Sequence, residues 1–181
     1  MRIRSTTLLL LLVVSLSTTL IAGDACNHVP SMKRDEACLK ACDVPALYNL
    51  CQETLQAAAP EVAEVSVYAN VAARFARQSY HDTLVTAEHL LANGSIPAGE
   101  QPAYKNCIDR CSSASIQMAR VVTETFSCEF GRLKQRYLEA VDAIGSCGEG
   151  LASGTPLIAM SRADKEWTMI AHGLGALIVG M

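Results

Sequence analysis

Residues 60 to 92 read PEVAEVSVYANVAARFARQSYHDTLVTAEHLLA, with apolar or small residues at Val62, Val65, Ala69, Ala72, Ala76, Leu84, Ala87, Leu90 and Leu91, largely three or four positions apart. That spacing is the stripe of a long amphipathic helix. Asn93, Gly94, Pro97 and Gly99 break it, and Pro102 can begin a second helix through Tyr104, Ile108, Ser115, Met118 and Val122. A third follows the Thr123 to Gly131 region, through Leu133, Tyr137, Leu138, Val141 and Ile144, and Gly148, Gly150, Gly154 and Pro156 end it. A fourth runs from about Ser161 to Val179 with Trp167, Ile170, Leu174, Leu177 and Ile178. Four such helices joined by short breaks, with no clean period-2 pattern, predict an all-α fold, an up-down-up-down four-helix bundle. Ahead of them, Cys26 to Gln56 is a cysteine-dense, locally helical cap.

The N-terminus carries Arg2 and Arg4, an apolar run from Leu8 to Val14, and small residues at Ala22, Gly23 and Ala25. This is the pattern of a secretory signal peptide cleaved near Ala22. The apolar run is too short for a membrane anchor, which needs about 20 residues. The expected organisation is a leader over 1–22, a cysteine-rich hairpin over 23–57 and a bundle over 58–181. Small residues at Gly150, Ala152 and Ser153 upstream of an apolar C-terminus also allow a lipid-anchor processing tail. His172 and three glycines interrupt that tail, and the bundle needs its fourth helix.

Half of the 181 residues are hydrophobic, enough for one real core. Losing Arg2 and Arg4 would take 15 basic residues to 13 against 18 acidic ones, and the formal charge from −3 to −5. An acidic chain is a poor match for nucleic acid or anionic membranes and leaves a basic protein partner open. Asn93-Gly94-Ser95 is an N-glycosylation sequon between apolar segments, suited to an exposed loop.

All eight cysteines (26, 38, 42, 51, 107, 111, 128 and 147) follow the leader. An even count in an oxidising compartment reads as disulfides. If Cys107 pairs with Cys147 across the second and third helices, their midpoint, residue 127, falls on the turn already drawn there. The same register sets Cys111 opposite Ala143, fifteen residues from Cys128, or roughly 22 Å at about 1.5 Å per residue. A disulfide needs Cα atoms within about 7 Å, so Cys111 to Cys128 is excluded for continuous helices. Cys128 lies at the bundle end that carries the cap, which points to a link from Cys26 or Cys38.

Cys42 to Cys51, reading Cys-Asp-Val-Pro-Ala-Leu-Tyr-Asn-Leu-Cys, resembles the Cys-x8-Cys N-terminal hairpin of the plant invertase and pectin methylesterase inhibitors. Ala103-Tyr104-Lys105-Asn106-Cys107 is similar to that family's second-helix signature, and Ile144-Gly145-Ser146-Cys147 to its third-helix cysteine. Thr155-Pro156-Leu157 and the closing Gly175-Ala176-Leu177-Ile178-Val179 also fit. The resemblance implies a secreted inhibitor with no cofactor, and two bridges, Cys42–Cys51 and Cys107–Cys147. Cys26, Cys38, Cys111 and Cys128 are additional to those bridges; Asn49 and Cys111 depart from the usual text.

Two targets follow from the resemblance: invertase and pectin methylesterase. In the invertase inhibitors a Pro-Lys-Phe motif between the second and third bundle helices reaches into an acidic active site. Here that region reads Cys128-Glu129-Phe130, and Pro-Lys-Phe occurs nowhere in the chain. Glu129 against catalytic carboxylates would repel, so pectin methylesterase is the favoured target, with Glu129 and Phe130 as interface candidates. The implied mechanism is steric, with the bundle surface covering the substrate cleft.

Cys107 and Cys111, with His81 and His89, are residue types that bind metal, but disulfides suit a secreted chain better. No Gly-x-Ser-x-Gly elbow, phosphate-binding loop or zinc-protease motif is present, and His28, His81, His89 and His172 lack a nucleophile at motif spacing. Tyr68, Phe75, Tyr80 and Trp167 are expected to pack in the core or at the bundle edge. A lipid-carrying secreted protein is the rival class, but the Cys-Cys and Cys-x-Cys arrangement of plant lipid-transfer proteins is missing.

Overall fold

Residues 26–180 are described by the computed structural model, so the expected leader over 1–22 lies outside the described residues. The chain begins with a short strand, β1 (Ser31–Lys33), and two helices, α1 (Arg34–Ala41) and α2 (Pro45–Ala58). β2 (Val62–Glu64) then returns antiparallel to β1, with Met32 opposite Ala63. Strands of three residues are too short to show an alternating pattern, so this ribbon leaves no periodic mark in the sequence. The buried Tyr68 hydroxyl lies 3.0 Å from the Met32 carbonyl and 3.1 Å from that of Glu61, and so fastens the ribbon. Arg34 donates to the carbonyls of Leu55 and Ala59, closing the C-terminus of α2 with a positive charge where the helix dipole favours one.

The bundle comprises α3 (Val65–Ala92), α4 (Gln101–Phe126), α5 (Leu133–Gly145) and α6 (Pro156–Val179), with a 3₁₀ turn at Phe130–Arg132 before α5. Each packs on its neighbours in order, and α6 closes on α3, which is the up-down-up-down arrangement. α6 begins at Pro156 rather than near Ser161. Proline lacks an N–H that the first helical turn does not use, so Pro156 opens this helix instead of terminating the loop before it. The apolar C-terminal stretch packs into the core through Leu174 and Gly175, and no helix among the described residues is long and apolar enough to cross a membrane.

Small residues set the helix spacing. Ala69, Ala72, Ala73 and Ala76 line the buried face of α3, while Tyr68, Tyr80, Tyr137 and Met118 fill the wider gaps. Two glycines on α6 permit close approaches. A methyl group at Gly173 would overlap the Ala41 carbonyl at the end of α1, and one at Gly175 would overlap the Tyr137 ring. Gly173 thereby docks the cap onto the bundle.

Three disulfides form: Cys26–Cys128, Cys38–Cys51 and Cys107–Cys147. Cys42, expected to pair with Cys51, is a free buried thiol. Helix rise explains the correction. Cys42 lies in the turn between α1 and α2, whereas Cys51 is six residues into α2, about 9 Å along it. Its partner must come from within α1, and Cys38 stands there at a Cα separation of 5.8 Å. Cys26, rather than Cys38, holds Cys128 and ties the start of the cap to the turn between α4 and α5.

Candidate target interface

The turn after α4 is built by a six-to-one closure. The Glu129 N–H donates to the Glu124 carbonyl at 2.8 Å, the Ser127 N–H donates to Thr123 at 3.0 Å, and Cys128 adopts a left-handed φ of 59°. This is the Schellman geometry that glycine usually supplies. Here a cysteine occupies it, held by its bridge to Cys26. The tight turn projects Phe126 outward with 85% of its surface exposed. Glu129 is also exposed. Phe130 is not a free anchor: its ring is half-buried against the core, beside Lys134, Ile178 and Val179.

Phe126 forms one wall of a cleft of about 750 Å³ between the start of α3 and the end of α4, with Val67, Val71 and Arg74 on the opposite wall and Cys26 and Cys128 at its end. Val67 is exposed as well. Between these walls, Asn70 donates to the Val122 carbonyl and to the Thr125 hydroxyl, each at 3.1 Å, so the two helices are pinned. The seam between α4 and α5 is similarly fixed. Arg136 lies 3.2 Å from Glu124 in a largely buried ion pair and also donates to Gln117, while Asn106 donates to the Ser146 carbonyl. Phe126 is the exposed aromatic that the sequence reading passed over. The stripe read through Met118 and Val122 would carry Phe126, four residues on, toward the core; the buried face instead runs through Met118, Val121 and Thr125, which leaves Phe126 outside.

The bundle interior holds a polar network, also missed. Asp164 on α6 is fully buried and accepts hydrogen bonds from the Ser79 and Thr83 hydroxyls of α3, the latter at 2.7 Å. Thr168 donates to the Asp164 carbonyl, and the Tyr80 hydroxyl lies 2.6 Å from Thr168. Burial holds the Asp164 carboxyl above the ordinary range, while the Ser79 and Thr83 donors draw it partly back. Asp164 follows Leu157 by seven residues and precedes Thr168 by four, which places it on the buried stripe.

The sulfurs of Cys107, Cys111 and Cys147 lie within 4.8 Å of one another. Two of them are joined to each other, so they present no set of free thiolates to a metal. His81 and His89, considered as partners for Cys107 and Cys111, lie on the exposed side of α3, away from the buried sulfurs. Asn93 is exposed at the C-terminal end of α3, where the Ser95 N–H donates to its side-chain oxygen.

The fold is shared with solved inhibitor structures. A mutant form of a pectin methylesterase inhibitor from Arabidopsis superposes with a TM-score of 0.67 at 16% identity, over 81% of this chain and 98% of that one. A pectin methylesterase inhibitor from Arabidopsis thaliana gives a TM-score of 0.57, again at 16% identity and the same coverage. No protein-family model and no curated protein sequence matches the chain. At this identity the likeness establishes the fold.

Proposed function

We propose that the chain is a secreted protein that inhibits pectin methylesterase by lying across the enzyme's substrate cleft. The observation that carries the reading is the superposition on pectin methylesterase inhibitors over nearly their whole length. The mechanism asks for a rigid surface rather than a reactive group, and the pinned α3–α4 and α4–α5 seams supply one. Phe126 gives it an aromatic anchor, the residue class that dominates interface energetics when it fills a partner's pocket. The acidic charge of the chain favours approach to a basic enzyme surface.

Glu129 beside Phe126 selects between the two targets implied by the sequence resemblance. An exposed carboxylate at this turn opposes insertion into an active site built from carboxylates. Secretion follows the leader pattern at the N-terminus and the three bridges, which persist in an oxidising compartment. Asn93, exposed in its turn, is the proposed glycan attachment point.

The test is a parallel assay of the secreted protein against pectin methylesterase and invertase near acidic cell-wall pH. Stoichiometric loss of pectin methylesterase activity alone is expected. Inhibition of invertase alone reverses the target, and inhibition of neither removes the inhibitor reading.

A further inference from the structure

The cleft beside Phe126 joins apolar walls to a single unpaired cation. Val67 and Val71 on α3 face Phe126 on α4, and the Cys26–Cys128 bridge stands at the end, so the walls are mainly carbon and sulfur. Its volume of about 750 Å³ falls within the range of small-molecule sites. The polar donors along it are spent on the protein itself. Asn70 gives its amide N–H groups to Val122 and Thr125, and the Thr125 hydroxyl donates to the Val121 carbonyl at 2.7 Å. Ser66 donates to Glu64 at 3.1 Å, the Cys26 N–H donates to the same carboxylate oxygen at 3.3 Å, and Ser127 donates to the Thr123 carbonyl at 3.0 Å. Arg74 differs: it lines the cleft, is exposed, and forms no ion pair among the described residues.

We propose that the cleft binds an amphipathic monocarboxylate, in its simplest form a medium-chain fatty acid, with the carboxylate on Arg74 and the tail over Val71 and Val67 toward the Cys26–Cys128 bridge. Seven residues separate Arg74 from Val67, roughly 10 Å along α3, a length that suits decanoate. Glu64, whose charge opposes an anion, is ten residues before Arg74, roughly 15 Å away on the same rise. One guanidinium balances one carboxylate and leaves a phosphate dianion incompletely paired. A peptide fits less well than a free acid, because it brings backbone groups whose hydrogen bonds the spent lining cannot supply.

Burial of the tail supplies most of the affinity, and Arg74 sets the orientation. Phe126 is also the proposed anchor for the enzyme, so on the inhibitor reading a bound acid withdraws it from that contact. Binding of the acid itself does not depend on that reading.

The test uses the protein alone, in an amide NMR titration with decanoate below its micelle concentration, with decanol and acetate in parallel. Decanoate is expected to shift the amides of residues 64–74 and 125–128, and acetate to leave them unmoved. Arg74 is exposed, so Arg74→Gln keeps the fold; it should weaken decanoate about three- to five-fold, the range of an exposed ion pair, and leave decanol unchanged. Arg77→Gln, also exposed but outside the cleft, should leave decanoate binding as it is. Three results overturn the proposal: no decanoate shift, shifts confined to the smaller pocket at Phe130, Lys134 and Ile178, or equal decanoate affinity in Arg74→Gln and wild type. An Arg74-dependent complex with an acidic peptide, in a protein that decanoate leaves unmoved, overturns it in favour of a protein partner.

Discussion

Gly175 lies beneath the Tyr137 ring, and Gly173 lies against the Ala41 carbonyl. Gly175→Ala is expected to cost about 1–3 kcal/mol, the usual penalty for forcing extra volume into a packed core. Gly173→Ala should cost at least as much, because its neighbour is backbone and cannot rotate away. Urea unfolding of each variant checks both. The sequence showed these glycines as interruptions of an apolar tail; only the packing shows that they are contact points. Asp164 makes a different prediction. Because its carboxyl is raised in the folded state, the folded chain keeps a proton where the unfolded chain has lost it. Its contribution to stability therefore falls as pH rises from the ordinary carboxylate range toward its folded value. His172, lowered by burial and by Lys134, acts in the opposite sense, losing stability as pH falls below the imidazole range. Thermal melts across mildly acidic pH should show wild type losing ground to Asp164→Asn as pH rises; a constant difference between the two would contradict the assignment.

Between elements, the disulfides are the informative links. Cys38–Cys51 closes a short loop between α1 and α2, and Cys38→Ser should cost about 2–3 kcal/mol. Cys42→Ser should cost far less, since Cys42 has no bridge to lose. Denaturant midpoints of the two variants separate this pairing from the Cys42–Cys51 pairing implied by resemblance. The long helices were legible in the sequence because period 3.6 over more than twenty residues is hard to mimic. The ribbon was not, because β1 and β2 have three residues each and are fastened by the distant Tyr68 hydroxyl. The cap pairing was obscured by two cysteines one turn apart on the same helix end, a choice that depends on where α1 stops. For the candidate site the sequence points to Glu129 and Phe130 in the turn after α4; in the structure Glu129 is exposed there, Phe130 packs half-buried against the core, and Phe126, the last residue of α4, stands outside, an outcome set by side-chain packing that the local sequence does not display.

For the molecule as a whole, Cys26–Cys128 joins positions 102 residues apart, linking the start of the cap to the turn between α4 and α5. Losing it should lower stability by roughly 3–5 kcal/mol on loop-closure grounds, with the steepest loss of hydrogen-exchange protection in residues 26–33 and 124–130. A cleft-covering inhibitor needs this stiffness, because any freedom at the Phe126 turn would have to be frozen on binding. Phe126→Ala is accordingly expected to weaken the proposed complex by ten-fold or more, about 1.4 kcal/mol or above, without lowering the melting temperature. The proposed occlusion of the cleft is measured by calorimetric titration of pectin methylesterase with this protein, alone and with the enzyme's cleft filled by an oligogalacturonide. A one-to-one complex whose apparent affinity falls as the oligogalacturonide concentration rises is expected; absence of binding, or binding that the oligogalacturonide leaves unchanged, rules occlusion out.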